Sequence, residues 1–361
     1  MRPIRILVDS FADEDTLNAQ MTNGRDIMSR LDAARFQVST FFVAKPDARL
    51  VERPATRLIQ LPQRRQTLRI LNEFIWGKHD ILFYLKPSPA AKFYLALRSK
   101  RFDKRIVIGM VESQSDLRNE PTIKPEQVRI WERTVLRGDW LFSNSSSVKV
   151  SLEKEYGLPS EVVPTGVDSK FYTPVWERPR NARVRVLFVG SLRPFKGPQL
   201  LLRAAAQFPA AEFVIVGDGI MGPELEARVR AERLSNVEFA GSLKPLALRE
   251  QYRRADIFLF PSRWEGSPKV ILEAAACGLP VIARRDYRPE TVVDGQTGYL
   301  GGSEDELLDH LARLIASPEL RGDMGRASRA HSERFDWDLI TRRWEEIFVR
   351  LAGQRAAAGR S

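Results

Sequence analysis

Short apolar strands alternate with amphipathic helical stretches along this chain, stop at a proline-bearing break, and start again. That alternation is the pattern of a parallel sheet covered by helices, because neighbouring parallel strands need a long crossover between them. In the first half the strands read as residues 4–8, 37–43, 81–85, 106–110 and 140–143. Val162-Val163-Pro164-Thr165-Gly166-Val167-Asp168 and the charged, proline-bearing stretch 173–183 interrupt the pattern. It resumes with strands at 184–189, 212–216, 236–240, 257–260 and 281–283, separated by helices at 198–207, 223–233 and 246–253. Two helices, around 304–316 and 340–351, finish the chain. The expected fold class is α/β, with two doubly wound, Rossmann-like parallel sheets. Ligands of such sheets sit beyond the carboxyl ends of the strands.

At 361 residues the chain is long enough for two cores of ordinary size. Its one cysteine, Cys277, excludes an intramolecular disulfide and a thiolate metal cage. The chain begins almost directly with a strand and holds no apolar stretch of membrane-spanning length, so a cytoplasmic protein is expected. The net charge of +11 is unevenly spread: residues 45–105 carry fifteen Lys or Arg against five acids. Aromatic residues are interleaved there, namely Phe74, Trp76, Phe83, Tyr84, Phe93, Tyr94 and Phe102. Two readings stay open for this region: a solvated basic face over a normal core, or a peripheral surface for the anionic headgroups of a membrane's inner face. No zinc spacing, RNA-binding aromatic motif or recognition helix points to nucleic acid.

Residues 256–283 carry the most functional information. A buried strand runs into a tight loop and then a helix, with Glu265 in the loop and Glu273 eight residues on. Ser267 is expected to cap the helix and Pro268 to occupy its first position. The N–H groups of such a helix start favour phosphate, while the carboxylates suit neutral hydroxyl-bearing sugars. An ordinary strand, loop and helix with solvated glutamates would look the same in isolation. Three further loops decide the matter: Gly190-Ser191-Leu192-Arg193-Pro194-Phe195-Lys196-Gly197, Gly217-Asp218-Gly219, and Gly241-Ser242-Leu243-Lys244-Pro245. All follow strands of the second half, so the four should line one rim, with Arg193 and Lys196 able to offset diphosphate charge.

In order and spacing these segments resemble the GT-B-fold retaining glycosyltransferases of family 4, the "group 1" transferases. The resemblance rests on Val163 to Asp168 ahead of Phe171, Val189-Gly190 through Lys196-Gly197, Val216 to Gly219, and Tyr252-Arg253-Arg254-Ala255-Asp256. It continues through Pro261-Ser262-Arg263-Trp264-Glu265-Gly266, the paired glutamates, and Asp294 to Leu300. It implies two domains facing across a cleft: an acceptor domain over 1–168 and a donor domain over 169–335. Trp337-Asp338 resembles the family's crossover, so a last segment, 336–361, should return to the first domain.

The resemblance also implies roles. Lys196 would bind the donor diphosphate beside Gly190, Ser191, Arg193 and Gly217. Glu265, with the backbone of Gly266, Ser267 and Pro268, would hold hydroxyls of the transferred sugar, and Lys269 is also implied in donor binding. Glu273 would accept from the ribose, and Ser242, Leu243 and Lys244 would lie along the base. The chain departs from the family at three places: Ser191 replaces an arginine, Glu112 stands where a histidine often lines the cleft, and Gly24, beside Asn23 in the first loop, is one glycine where a pair is usual. Glu265, Lys196 and Glu112 are the catalytic candidates.

The expected reaction is retaining transfer of a sugar from a nucleoside diphosphate to a hydroxyl of a glycan or lipid-linked acceptor, in polysaccharide or glycolipid synthesis. No metal or other cofactor is expected, since cations and a helix N-terminus can supply the charge. A GT-B-fold nucleotide-sugar epimerase, or a non-catalytic nucleotide-sugar-binding protein, are the alternatives. His79, His310 and His331 are scattered and read as packing or surface residues.

Overall fold

The computed structural model describes residues 2–14, 19–98, 103, 105–112, 124–177 and 182–358. Phe102, among the aromatics named above, lies outside them. The chain divides into two compact units, 1–165 with 337–361, and 166–336.

The first unit holds seven parallel strands: β1 (Ile4–Phe11), β2 (Phe36–Phe42), β3 (Thr56–Gln60), β4 (Ile81–Phe83), β5 (Ile106–Val111), β6 (Trp140–Ser143) and β7 (Glu161–Val162). Their order is β3-β2-β1-β4-β5-β6-β7, a doubly wound sheet that reverses direction next to β1. Between them run α1 (Ala19–Arg30), α2 (Ala48–Glu52), α3 (Gln66–Trp76), α4 (Pro89–Leu97), α5 (Pro125–Glu132) and α6 (Ser146–Tyr156). Two strands exceed the sequence expectation, β3 and β7, and both are edges. Only Ile59 of β3 is buried, and β7 has two half-buried residues, so neither shows an apolar run. β4 ends at Phe83, earlier than expected, because Tyr84 takes a left-handed φ of 58°.

The second unit holds β8 (Arg185–Val189), β9 (Glu212–Val216), β10 (Val237–Gly241), β11 (Ile257–Phe260), β12 (Val281–Arg284) and β13 (Gly298–Gly301). All pair in parallel, in the order β10-β9-β8-β11-β12-β13. Its helices are α7 (Gln199–Gln207), α8 (Gly222–Ala231), α9 (Pro245–Arg254), α10 (Lys269–Ala276), α11 (Glu304–Ala316) and α12 (Pro318–Ser332). β11 is wholly buried, and the core is continuous around it. The sequence reading lacks the edge strand β13 and also α12, whose buried face is Met324, Gly325, Ser328 and Ser332. Small residues pack there because the helix lies against backbone: a Cβ on Gly325 would stand 2.3 Å from the Gly278 carbonyl.

The final helix, α13 (Trp337–Ala358), packs against α1 and β1 of the first unit. It starts at Trp337 rather than near residue 340, directly after the extended Asp336. Trp344 is 1% exposed, with its ring 4.7 Å from Phe83 and 4.9 Å from Phe142 between centroids. Truncating a buried tryptophan removes its transfer free energy and leaves a cavity. Trp344→Ala should therefore cost the first unit about 3–5 kcal/mol, read by urea unfolding. A loss below about 1 kcal/mol would show that α13 is not part of that core.

Candidate functional site

Four loops of the second unit lie side by side beyond the carboxyl ends of β10, β9, β8 and β11, and backbone hydrogen bonds join them in that order. Gly217 N donates to Gly241 O at 2.9 Å, Leu192 N to Asp218 O at 2.9 Å, and Arg263 N to Phe195 O at 2.8 Å. Gly217 has φ 132°, and a Cβ there would stand 1.9 Å from the Gly190 carbonyl, so only glycine lets the β8 and β9 loops meet.

Lys196 closes a one-turn helix, Pro194–Lys196, and Gly197 stops it at φ 66°. The turn brings the Lys196 ammonium into an ion pair with Glu265 of the β11 loop. Glu265 also accepts from the buried Ser262 hydroxyl at 2.6 Å. The two charged side chains are only 17% and 12% exposed. The ammonium lies 5.3 Å from the Phe260 ring centroid and 5.2 Å from that of Phe195. Phe195 in turn stacks on Trp264, at 6.2 Å between centroids and 19° between planes. An ammonium has three donors, so pairing with Glu265 leaves capacity for an anion. Arg193 on the same loop is exposed and Ser191 is half-buried.

The start of α10 differs from expectation. Pro268, with ψ 113°, is itself the N-cap, and no side chain caps the helix. The proline's extended ψ delays the first helical residue to Lys269 and leaves Ser267 one place too early to cap. Gly266 and Pro268 are buried, Ser267 and Lys269 half-buried. Glu273, 9% exposed, accepts from the Tyr252 hydroxyl at 3.0 Å. Burial first, and the Glu273 charge second, push the Cys277 thiol up to about 12, which leaves it inert as a nucleophile. Both effects also hold Tyr252 well above its ordinary range. Glu265 has other neighbours: burial and then its charge raise Tyr287. The two glutamates therefore occupy different surroundings, one against Lys196 and the other against α9. In the β10 loop, Ser242 and Lys244 are exposed, while Leu243 packs on the core.

The remaining candidates belong to the first unit. Asn23 and Gly24 are not in a loop but inside α1. Gly24 permits close helix–strand packing, since a Cβ there would meet the Ser10 side chain at 3.0 Å. Asn23 donates to Glu112 at 3.1 Å, and the Tyr84 hydroxyl donates to the same oxygen at 2.6 Å. Asn144 donates to the Glu112 carbonyl at 3.0 Å. Glu112 is thus fixed just after β5 by groups from α1 and from the residues that follow β4 and β6. Sequence reasoning gave no site role to Tyr84, Asn144, Ser262 or Tyr252. Of their contacts, Ser262 to Glu265 is local enough to have been read from spacing.

The histidines lie outside both clusters. His79 is buried against Glu73 at 2.8 Å, His310 stacks on Tyr299, and His331 bonds the Glu290 carbonyl at 2.9 Å. Among the described residues, no three His, Cys, Asp or Glu gather closely enough to hold a metal ion.

Residues 177–331 match the family model described as "Glycosyl transferases group 1". D-inositol 3-phosphate glycosyltransferase of Corynebacterium jeikeium is 33% identical over 270 residues, which cover 65% of this chain and 64% of that protein. The chain spans from about two fifths to just under two thirds of the length of the curated relatives it matches. Among solved structures, sucrose-phosphate synthase from Thermosynechococcus elongatus superimposes with a TM-score of 0.80 at 20% identity, over 98% of this chain and 100% of that one. Anabaena HepE in complex with UDP gives 0.75 at 18% identity, over 96% and 100%. These likenesses establish the fold as GT-B, two Rossmann-like parallel-sheet domains. The glycine-bounded loops, Lys196 and the paired glutamates all fall within the stretch that matches the group 1 glycosyltransferase family model.

Proposed function

We propose that this protein is a metal-independent, retaining glycosyltransferase that moves a sugar from a nucleoside-diphosphate sugar to a hydroxyl of a glycan or lipid-linked acceptor. The observation that carries the proposal is the Lys196–Glu265 pair on the loop rim, beside the start of α10. A carboxylate beside a diphosphate would repel it in isolation. Paired with Lys196, it can stay charged, accept from sugar hydroxyls and leave the ammonium to the phosphates. Relatives of the same fold add support: Anabaena HepE has been solved with UDP and with UDP-glucose.

In this reading, the bond between the anomeric carbon and the diphosphate oxygen breaks while the acceptor oxygen bonds the same face. The acceptor proton passes to a phosphate oxygen. Lys196 and the N–H groups at the start of α10 stabilise the departing charge. Glu265 orients the sugar, with Gly266, Ser267, Pro268 and Lys269 around it. Gly190, Ser191, Arg193 and Gly217 flank the phosphates, and Ser242, Leu243 and Lys244 lie along the base. Glu273, held by Tyr252, accepts from the ribose. Glu112, positioned by Asn23 and Tyr84, serves the acceptor.

Thermal unfolding with UDP, GDP, ADP and TDP tests the reading. The preferred nucleotide at one hundred times its dissociation constant should add about 2.7 kcal/mol of stability. Lys196→Ala should abolish most of that gain. A wild-type chain unmoved by all four nucleotides would overturn the proposal.

A further inference from the structure

The basic run at 45–105 separates, in the structure, into internal and external cations. Arg53 is buried and donates to the Leu31 and Phe36 carbonyls, and Arg98, 3% exposed at its side chain, pairs with Asp139. Arg49 is bound to Asp47 and Asp26, and Arg105 to Asp103. These cations hold the fold together.

The α3–α4 face is different. Of the fourteen large exposed apolar residues among the described ones, five lie on these two helices: Leu68, Ile75, Trp76, Phe93 and Leu97, the last four at 39%, 76%, 56% and 66% exposure. Their spacing shows why. Leu68, Asn72, Ile75 and Trp76 share one helical face of α3, while Ile70, Glu73 and Phe74 share the buried one. On α4, Phe93, Ala96 and Leu97 line up with Lys92, opposite the buried Ala91, Tyr94 and Leu95. The two helices pack on each other, with the Phe74 and Tyr94 rings 5.5 Å apart. Their outward faces are left to solvent.

Charge on this face has one sign. Arg64, Arg65, Arg69, Lys78 and Lys92 are exposed. The stretch 61–98 contains two acids, and both are paired with cations. Glu73 is buried between Arg57 and His79; Asp80 pairs with Arg2 and Arg5, which help bring its carboxyl down to about 2.

We propose that the outward face of α3 and α4 docks on an anionic lipid bilayer. Exposed Trp and Phe beside Leu and Ile suit the boundary between headgroups and acyl chains, and a cation-only surround suits anionic headgroups. A nucleic acid would use the cations but gives Leu68, Ile75 and Leu97 nothing to bury against. Among the described residues no helix is long and apolar enough to cross a membrane, so the attachment is peripheral. The inference does not rest on the transferase reading, because every residue it uses lies in the first unit.

Co-sedimentation of the full chain with vesicles tests it. Vesicles of phosphatidylcholine mixed with phosphatidylglycerol should pellet the protein at least about tenfold better than phosphatidylcholine alone, and added salt should weaken this. The double variant Trp76→Ser with Phe93→Ser, and separately Arg64→Glu with Arg69→Glu, should each lower binding about tenfold or more. All four positions are exposed, so thermal midpoints and nucleotide-induced stabilisation should be unchanged in both variants. Failure of the wild type to prefer anionic vesicles would overturn the proposal, as would full binding by the serine variant. So would a wild-type dimer in sedimentation that the serine variant converts to a monomer, or binding to RNA in place of vesicles.

Discussion

Glu265→Gln should lower kcat/KM by about 100- to 1,000-fold, and Lys196→Ala by a comparable factor, while both proteins stay folded. The expectation follows from the pair itself. Glu265 has two partners, Lys196 and Ser262, and both side chains are largely withdrawn from solvent. The amide keeps the shape but loses the charge, leaving the ammonium uncompensated except by the donor phosphates. Lys196→Ala does the reverse, leaving a carboxylate close to an incoming diphosphate. Substrate affinity should therefore separate the two. Lys196→Ala should lose most of the nucleotide-induced stabilisation, whereas Glu265→Gln should keep the nucleotide and lose turnover. Because the groups act as a unit, the double variant should be little slower than Lys196→Ala alone. Steady-state rates with a nucleotide sugar and a competent acceptor provide the measurement. Near wild-type turnover in either single variant would remove the pair from the reaction.

What could be read from the sequence follows the strength of the local signal. β11 is four apolar residues buried on every side, and its loop carries glycine, proline and charge in a short span, so strand and rim were legible. The glycine-bounded turns at Gly190, Gly197 and Gly217 were legible for the same reason. Edge strands β3 and β7 were not, because an edge buries too little to show a period. The start of α10 misled, since Ser-Pro is a capping signature that the extended Pro268 displaces by one residue. Pairings across long separations left no trace. Glu273 meets Tyr252 twenty-one residues away, and Asn23 meets Glu112 across eighty-nine. Even the basic run hid two populations, since composition does not say which arginines, like Arg53 and Arg98, are structural.

Gly217→Ala should destabilise the second unit by more than about 4 kcal/mol, a loss reserved for substitutions with a specific steric cause. Two causes coincide here. At φ 132° an L side chain is strained, and the new Cβ would overlap the Gly190 carbonyl at 1.9 Å. That carbonyl has little room to retreat. Gly190 N is tied to Val216 O at 3.0 Å, Gly217 N to Gly241 O, and Leu192 N to Asp218 O. Gly241→Ala isolates the two contributions. Gly241 is also left-handed, at φ 63°, but nothing lies within 4 Å of a Cβ there. Its alanine variant should cost about 1–2 kcal/mol, the price of left-handed backbone alone. Thermal and urea unfolding of the two variants, side by side, gives the comparison. If their stabilities agree within about 0.5 kcal/mol, the β8 and β9 loops are not locked together. If Gly217→Ala falls far below Gly241→Ala, and any protein that stays folded has also lost nucleotide-induced stabilisation, close contact between those loops is what holds Lys196 in place for the diphosphate.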